Sequence, residues 1–449
     1  MHHLPDPPAG REDTYLVSRG QAWFAFAMTV ALMVFDYVDR QVIVSLFPHL
    51  KAEWGLSDKQ LGGLVSIVSV TVAVFGIPVA LFADRVSRVK SIVAMATMWS
   101  LATISCMWTR SYGVLMAARG VVGLREAGYG SVGAVLIATH FPARMRGALM
   151  AAFFAAASFG SVLGVMIGGM IADRWGWHAA FGVVGFPGLV LALLYLFVRD
   201  YKTVELTPRH EQATRSTGNA ARFIVRALTR SRTMRWVCIG APLQLVVVSA
   251  VWAWLPSFLN RMHGVPVAQA GAKAAIVVLA GAFGCVVWGW VADRAGRLRP
   301  GAKLQVTALM CLVTAAVLGF AFGAPRFGIA LSAPLQFALV VLGGFFMTCT
   351  VGPAGATVID VVHPGVRSTG ASVLSLFQNL FGLAVGPFVA GALSDALGLE
   401  AALTLIPAFS LLAAAAMWTA SRSYAADVQG ASTAPEAPAA AASPRAALA

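Results

Sequence analysis

Residues 80–90 read "ALFADRVSRVK", and residues 289–299 read "GWVADRAGRLR". In both stretches an apolar run ends in Asp-Arg, and a second Arg follows four residues after the Asp. Self-similarity of this kind is the signature of a structural repeat. The two stretches therefore indicate that the chain consists of two related halves.

Further matching features occur in the same order in both halves. Arg146 follows the fourth long apolar segment, and Arg367 follows the tenth. The fifth reads "FGSVLGVMIGGMIADRWG" and the eleventh "FGLAVGPFVAGALSDALG", each ending near an acid, Asp173 and Asp395. Their glycines are spaced so that two helices can approach closely in lipid. The repeat thus extends through both halves.

The composition identifies the class of protein that carries this repeat. The chain has 449 residues, of which 58% are hydrophobic and 12% charged, whereas about 25% are charged in soluble domains. We count twelve apolar runs of about the 20 residues needed to cross a bilayer. In lipid a lone strand cannot satisfy its backbone hydrogen bonds. The sequence predicts an all-α integral membrane protein with twelve transmembrane helices in two six-helix bundles.

Polar stretches divide the chain. We expect a cytoplasmic N-terminal arm at 1–20 and an N-terminal six-helix bundle at 21–198. A basic cytoplasmic linker follows at 199–234, and a C-terminal six-helix bundle spans 235–422. The Ala/Pro/Ser-rich segment 423–449 has the composition of a disordered tail.

The net charge of +14 is explained by topology. Most Lys and Arg residues fall in the arm, the linker and the loops on the same side, which the positive-inside rule places in the cytoplasm together with both termini. We therefore expect a multi-pass protein of the inner membrane whose partners are the lipid bilayer and a small-molecule substrate. Nucleic-acid binding is not expected, and a monomer suffices for this architecture.

The residues that could support enzymatic chemistry are scattered. All five cysteines lie within apolar segments without a pairing spacing, as small core residues do. We find no His/Cys cluster, no Gly-x-Ser-x-Gly and no phosphate-binding loop. The sequence predicts neither an enzyme nor a metal or cofactor site.

Charges nevertheless lie inside the predicted spans, among them Asp39, Arg40, Arg119, Arg125 and Glu126. Each costs about 2.5–3.5 kcal/mol at the centre of a span if it faces lipid. They must therefore pair with one another or face a water-filled cavity. Arg119 and Glu126 are two helical turns apart and share a face. Glu126, with Asp39 as a second site, is our candidate for proton coupling, because burial and a nearby Arg act oppositely on a carboxyl group.

The two opening stretches resemble the Gly-x-x-x-Asp-Arg-x-Gly-Arg-Arg/Lys loops of the major facilitator superfamily, although Ala80 and Ser87 replace glycines in the first. The resemblance implies a transporter that opens its central cavity alternately to either side. We interpret the loop charges as a conformational latch, a bistable contact that holds one state. The latch candidates are Asp84, Arg85, Arg88, Arg146, Asp293, Arg294, Arg297 and Arg367.

Two shorter motifs resemble Spinster-type transporters within this superfamily: "DYVDRQVI" (36–43) and "ARGVVGLREAGYG" (118–130). Arg125 departs by replacing a glycine, and the anion–cation symporter branch has related motifs. The resemblance implies that Asp39, Arg40, Arg119 and Glu126 serve proton coupling and substrate binding. Tyr129 in the fourth predicted span and Gln378 and Asn379 in the eleventh are further candidates for lining the cavity. The predicted substrate-binding residues are therefore Arg40, Arg119, Arg125, Tyr129, Gln378 and Asn379.

We therefore expect a proton-coupled secondary active transporter of a small organic anion or an anionic amphiphile. The fifth helix lacks the Gly-Pro step that often accompanies drug–proton antiport, which favours symport. A proton-driven multidrug or lipid exporter and a uniporter of the same fold remain alternatives. A transporter-like membrane sensor is the alternative from a different class.

Overall fold

The structure of the chain is a computed structural model that describes residues 15, 17–86, 88–198, 231–362 and 367–433. Within these ranges the regular secondary structure is helical throughout. The arm up to residue 14 and most of the predicted linker lie outside the described residues.

The described residues of the first half form six long α-helices and one short one. These are α1 (Arg19–Ser45), α2 (Phe47–Trp54, the short one), α3 (Asp58–Val86), α4 (Arg88–Ser105), α5 (Tyr112–His140), α6 (Ala143–Trp175) and α7 (Trp177–Leu194).

The second half repeats the pattern with more interruptions. Its helices are α8 (Arg232–His263), α9 (Val267–Leu298), α10 (Ala302–Gly323), α11 (Ala333–Met347), α12 (Val351–Val361), α13 (Arg367–Phe377), α14 (Val385–Leu397), α15 (Leu399–Leu405) and α16 (Ala408–Thr433).

Eleven helical segments in the described ranges are long and apolar enough to cross a membrane. Helix α5 has 29 residues, and its described residues include the apolar stretch Tyr112–Leu124. Beyond that stretch it carries Arg125 and Glu126, in addition to Arg119. The twelfth span therefore stays a prediction.

Glycines bring α1 and α6 together. A Cβ at Gly160 would overlap the carbonyl oxygen of Val34, and one at Gly164 would lie 2.5 Å from that of Val38. Only residues without a side chain allow two backbones to approach this closely. The glycine pattern of the fifth span thus has the expected packing function, and it places the backbone of α6 against Val38, the residue before Asp39.

Two predicted spans are interrupted. The tenth, predicted at 332–360, breaks at residues 348–350 between α11 and α12. Thr348 donates to the carbonyl of Gly281 (2.7 Å), and Gln244 donates to that of Met347 (3.0 Å), so side-chain contacts of neighbouring helices hold the break. The eleventh contains a π-helical turn, Gln378–Leu383, between α13 and α14. Apolar periodicity does not reveal such interruptions.

The C-terminal helix differs from the prediction of a disordered tail from residue 423, because α16 continues to Thr433. Tyr424 donates to Asp360 (2.7 Å). Asp427 accepts hydrogen bonds from the Ser231 hydroxyl (2.8 Å) and the Thr233 backbone N–H (2.7 Å) at the start of α8. These tertiary contacts order the first part of the segment despite its composition.

The two halves meet along α3 with α14 and along α6 with α9. We call the end of the molecule where α3 begins the Asp58 end, and the opposite end, where α9 finishes, the Asp293 end. At the Asp58 end, a Cβ at Gly62 would overlap the Pro387 carbonyl, and one at Gly169 would lie 3.2 Å from Ala268. The halves are therefore in backbone contact at this end.

Candidate transport site

An ion pair between α1 and α5 lies at the centre of the first half. Arg119 Nη1 is 3.4 Å from Asp39 Oδ2, and both side chains are 1% exposed. Arg119 also donates to the backbone carbonyls of Asp39 (3.2 Å) and Arg40 (3.4 Å). The pairing expected from the cost of charges in lipid is therefore present, and it joins two helices.

Two further helices support this pair. Thr103 of α4, itself fully buried, donates to Asp39 Oδ1 at 2.9 Å. Ser69 of α3 accepts a hydrogen bond from Arg40 Nη2 at 3.0 Å. Sequence reasoning missed both hydroxyls, because a single Thr or Ser in an apolar helix gives no signal of its partner.

Arg40 differs from its neighbour Asp39 in exposure. Asp39 is fully buried, whereas Arg40 is only half-buried. Successive residues of a helix point about 100° apart, so Asp39 can face α5 while Arg40 faces α3. Of the two arginines in these contacts, Arg40 is the one whose side chain reaches accessible space.

The other charged residues of α5 are only partly described. Arg125 and Glu126 lie within the helix, but their side chains are outside the described part of the chain. Their predicted functions in substrate binding and proton coupling stay predictions. Asp36, one turn before Asp39 and Arg40, is buried at 4% exposure.

The predicted substrate-binding residues with neutral side chains are in different environments. Tyr129 is 2% exposed and donates to the carbonyl of Thr29 at 2.6 Å. It therefore packs inside the first half in this conformation. Gln378 and Asn379 begin the π-helical turn, and both are half-buried. The Asn379 amide donates to the Ser375 carbonyl at 2.9 Å. Turns of this type recur at functional sites.

The predicted latch residues are partly visible. Asp293 is exposed, with Lys303 of its own half 3.4 Å away, and Arg146 donates to the Phe141 carbonyl at 3.0 Å. Asp360 also lies close to Lys303, at 3.3 Å. Arg294, Arg297 and Arg367 are exposed at the same end. The side chains of Asp84, Arg85 and Arg88 lie outside the described residues, so the latch stays a prediction.

One charged cluster was not found from the sequence. Asp58 is 2% exposed and is contacted by Lys51, Arg261 and Ser394. The only available signal was that the eleventh apolar segment ends near an acid. That acid, Asp395, accepts hydrogen bonds from the first backbone N–H groups of α3.

In this architecture, buried charges lie between helices that are long and apolar enough to cross a membrane. The Major Facilitator Superfamily pattern matches residues 29–380. The chain therefore belongs to this superfamily, and its relatives are transporters, not enzymes.

Individual relatives extend over most of the chain. It is 24% identical over 412 residues to Protein spinster of Drosophila melanogaster, covering 88% of this chain and 66% of that protein. It is 28% identical over 391 residues to an MFS-type efflux pump of Mycolicibacterium smegmatis, covering 84% and 85%. It is 25% identical over 416 residues to the gallate transporter of Pseudomonas putida, covering 85% and 88%.

Among solved structures, the fold is similar to that of a bacterial homologue of the human lysosomal transporter Spinster in an inward-facing, unoccupied conformation. The TM-score is 0.80 at 22% identity, covering 92% of this chain and 99% of that chain. This similarity confirms the helical fold that the resemblance implied.

Proposed function

We propose that this protein moves a small organic anion across the inner membrane by alternating access, coupled to protons. The observation that carries the proposal is the buried Asp39–Arg119 pair, with the half-buried Arg40 on the next residue of α1. A buried ion pair is weak evidence for stability, because replacing it with apolar residues is often neutral. A function in transport therefore explains this buried pair better than a function in stability does.

Charge balance links a proton to an anion at this pair. With Asp39 ionised, the pair has no net charge. A proton on Asp39 leaves the buried Arg119 with an uncompensated positive charge, which is costly in a low-dielectric environment. An organic anion entering the site supplies the missing negative charge. Proton and anion therefore bind better together than separately, which is the requirement for symport.

Arg40 is the residue through which the substrate first contacts this system. Its guanidinium can bind a carboxylate through two parallel hydrogen bonds, and Ser69 holds it in position from α3. Arg119 becomes available only when its contact with Asp39 loosens. Glu126, on the same helix as Arg119, serves as the second proton site, while Arg125, Tyr129, Gln378 and Asn379 complete the substrate site.

The names of the relatives indicate an anionic substrate in one case and export in another. One is named a gallate transporter and another an efflux pump. Gallate is a hydroxylated aromatic carboxylate, which fits the charge of Arg40. A symporter that loads anion and proton together accumulates substrate on the side of higher pH. The direction in the cell then follows from the membrane orientation, which we propose has both termini in the cytoplasm.

Reconstitution in proteoliposomes tests the proposal. The probes are radiolabelled gallate and a panel of small sugar and aromatic acids, with and without an imposed pH gradient. We expect accumulation that is driven by the gradient and abolished by a protonophore. Asp39→Asn should abolish accumulation. Asp173→Asn is the matched control, because Asp173 is also near an ion-pair partner, His49 at 3.3 Å, but lies at the Asp58 end.

The alternatives give different results. Equilibration without accumulation indicates a uniporter, and proton-driven movement opposite to the proton flux indicates an exporter. Binding of a probe without any flux indicates a sensor. If Asp39→Asn accumulates gallate as the unsubstituted protein does, the coupling assignment is wrong.

A further inference from the structure

The carboxylate of Asp58 is surrounded by side chains from both halves of the molecule. Its Oδ1 accepts hydrogen bonds from Lys51 Nζ at 2.6 Å and Arg261 Nη2 at 2.9 Å. Its Oδ2 accepts from Arg261 Nη1 and the Ser394 hydroxyl, both at 2.6 Å. Lys51 belongs to the first half, whereas Arg261 and Ser394 belong to the second. Three of these four hydrogen bonds therefore cross between the halves.

The second half donates a carboxylate in return. Asp395 accepts from the backbone N–H groups of Asp58 at 2.7 Å and Lys59 at 2.9 Å. These groups belong to the first turn of α3, where backbone donors have no partner inside the helix. A carboxylate there also interacts favourably with the helix dipole. Each half thus supplies one carboxylate, and each carboxylate is satisfied by donors of the other half.

The backbones of the two halves are in direct contact beside these carboxylates. A Cβ at Gly391 would overlap the carbonyl of Asp58, and one at Gly62 would overlap that of Pro387. Trp254, which is fully buried, donates to the same Pro387 carbonyl at 3.0 Å, and the Arg261 guanidinium lies over its ring at 5.9 Å. The contacts therefore join α3, α8 and α14 beside Asp58.

We propose that Asp58, Arg261, Ser394 and Asp395 form a reciprocal clamp that closes the Asp58 end of the transport pathway and must separate for that end to open. The clamp goes beyond the proposed function, because it depends neither on the substrate nor on the coupling ion. With the basic loops in the cytoplasm, the Asp58 end is the outer end.

Lys51 has a distinct function within this clamp. It contacts the same carboxylate as Arg261, but it is 42% exposed and lies in the same half as Asp58. When the halves separate, Arg261 and Ser394 leave with the second half, while Lys51 stays. Asp58 therefore keeps one cationic partner in both conformations, which lowers the cost of opening without weakening the closed contact between halves.

Pulsed electron paramagnetic resonance on the full-length protein in nanodiscs tests the clamp. Spin labels at Arg110→Cys and Arg326→Cys report the distance across the Asp58 end, because both positions are exposed there and belong to different halves. Cys285 is replaced by Ala, since the other four cysteines are buried. The unsubstituted clamp should give one short distance. Asp58→Asn and Arg261→Gln should each raise the ratio of long to short distances at least ten-fold.

The controls separate a clamp from a general loss of structure. Lys51→Gln should not increase the long-distance population, although it removes a bond to the same carboxylate. The double variant Asp58→Asn/Arg261→Gln should open no further than the more open single variant. If Asp58→Asn does not fold, Ser394→Ala removes only one bond of the clamp and should shift the ratio in the same direction by less.

Two results overturn the proposal. One is a single short distance in folded Asp58→Asn, Arg261→Gln and Ser394→Ala proteins alike. The other is a long-distance population in Lys51→Gln as large as that in Arg261→Gln. Neither result bears on proton coupling or on the substrate, since the measurement contains no transported molecule.

Discussion

Asp39 of α1 and Arg119 of α5 form a buried ion pair, with Oδ2 and Nη1 3.4 Å apart. The two residues are 80 positions apart in the chain, yet they lie at the same depth of the first half. The pair connects the two helices that carry the Spinster-type motifs. A transporter that pairs its charges in this way can change their pairing when a proton or a substrate arrives.

Removing one charge of this pair should destabilise the protein more than removing both charges. A lone charge left in a buried site costs about 3–5 kcal/mol. We expect Asp39→Asn and Arg119→Gln each to lower the thermal unfolding midpoint markedly, and the double variant to recover part of the loss. Thermal unfolding in detergent measures this. Additive losses would show that the two side chains do not act on each other.

We expect Thr103 to affect stability and transport through its hydroxyl group alone. Thr103→Val keeps the shape of the side chain but removes the hydrogen bond to Asp39, and such bonds to charged groups contribute about 1.5–3 kcal/mol. We expect lower thermal stability and altered transport. Thr103→Ser retains the donor and should behave almost as the unsubstituted protein in both measurements. Equal effects of Val and Ser would point to packing instead.

The glycines of α6 should tolerate no side chain where α1 lies closest. Gly164→Leu forces a side chain against Val38, where a Cβ would already be 2.5 Å from the carbonyl oxygen. Overpacking typically costs about 1–3 kcal/mol, and a backbone contact cannot yield easily. We expect poor yield of monodisperse protein. Gly147→Leu in the same helix is the control, since nothing lies within 4 Å of its Cβ position.

Glu126 should be needed for coupling but not for substrate movement. We expect Glu126→Gln to lose accumulation driven by a pH gradient while still exchanging labelled for unlabelled substrate, because a neutral amide cannot exchange a proton. Glu53→Gln, a substitution of an exposed glutamate in α2, should leave both activities unchanged. Proton-driven accumulation by Glu126→Gln would remove Glu126 from the mechanism.

Much of this architecture follows from local chemistry. Backbone groups in lipid must be satisfied within the segment, so the long apolar runs predicted helices, and the structure confirms helices there. The sequence predicted that Asp39 and Arg119 pair with other charges or face a cavity, because buried charges need partners. The contacts of Thr103 and Ser69 were not predicted, since a hydroxyl in an apolar helix is equally compatible with bonding to its own backbone, as Thr71 does to Ile67.

Interruptions and ends depend on contacts between helices. The break at residues 348–350 is held by Gln244 of α8 and Thr348 against α9. The continuation of α16 beyond residue 423 depends on Asp360, Ser231 and Thr233. Neither the hydropathy nor the composition of a segment predicts these contacts.

The sequence by itself determined the helical membrane class, the repeated halves and the residues whose charge demands an explanation. Each of these follows from the free energy of placing a residue in lipid, which is a property of that residue and its near neighbours. Only the tertiary structure decided that Asp58 is shared by Lys51, Arg261 and Ser394. Two of those partners are 203 and 336 positions away, and the packing of the two halves alone brings them within hydrogen-bond distance.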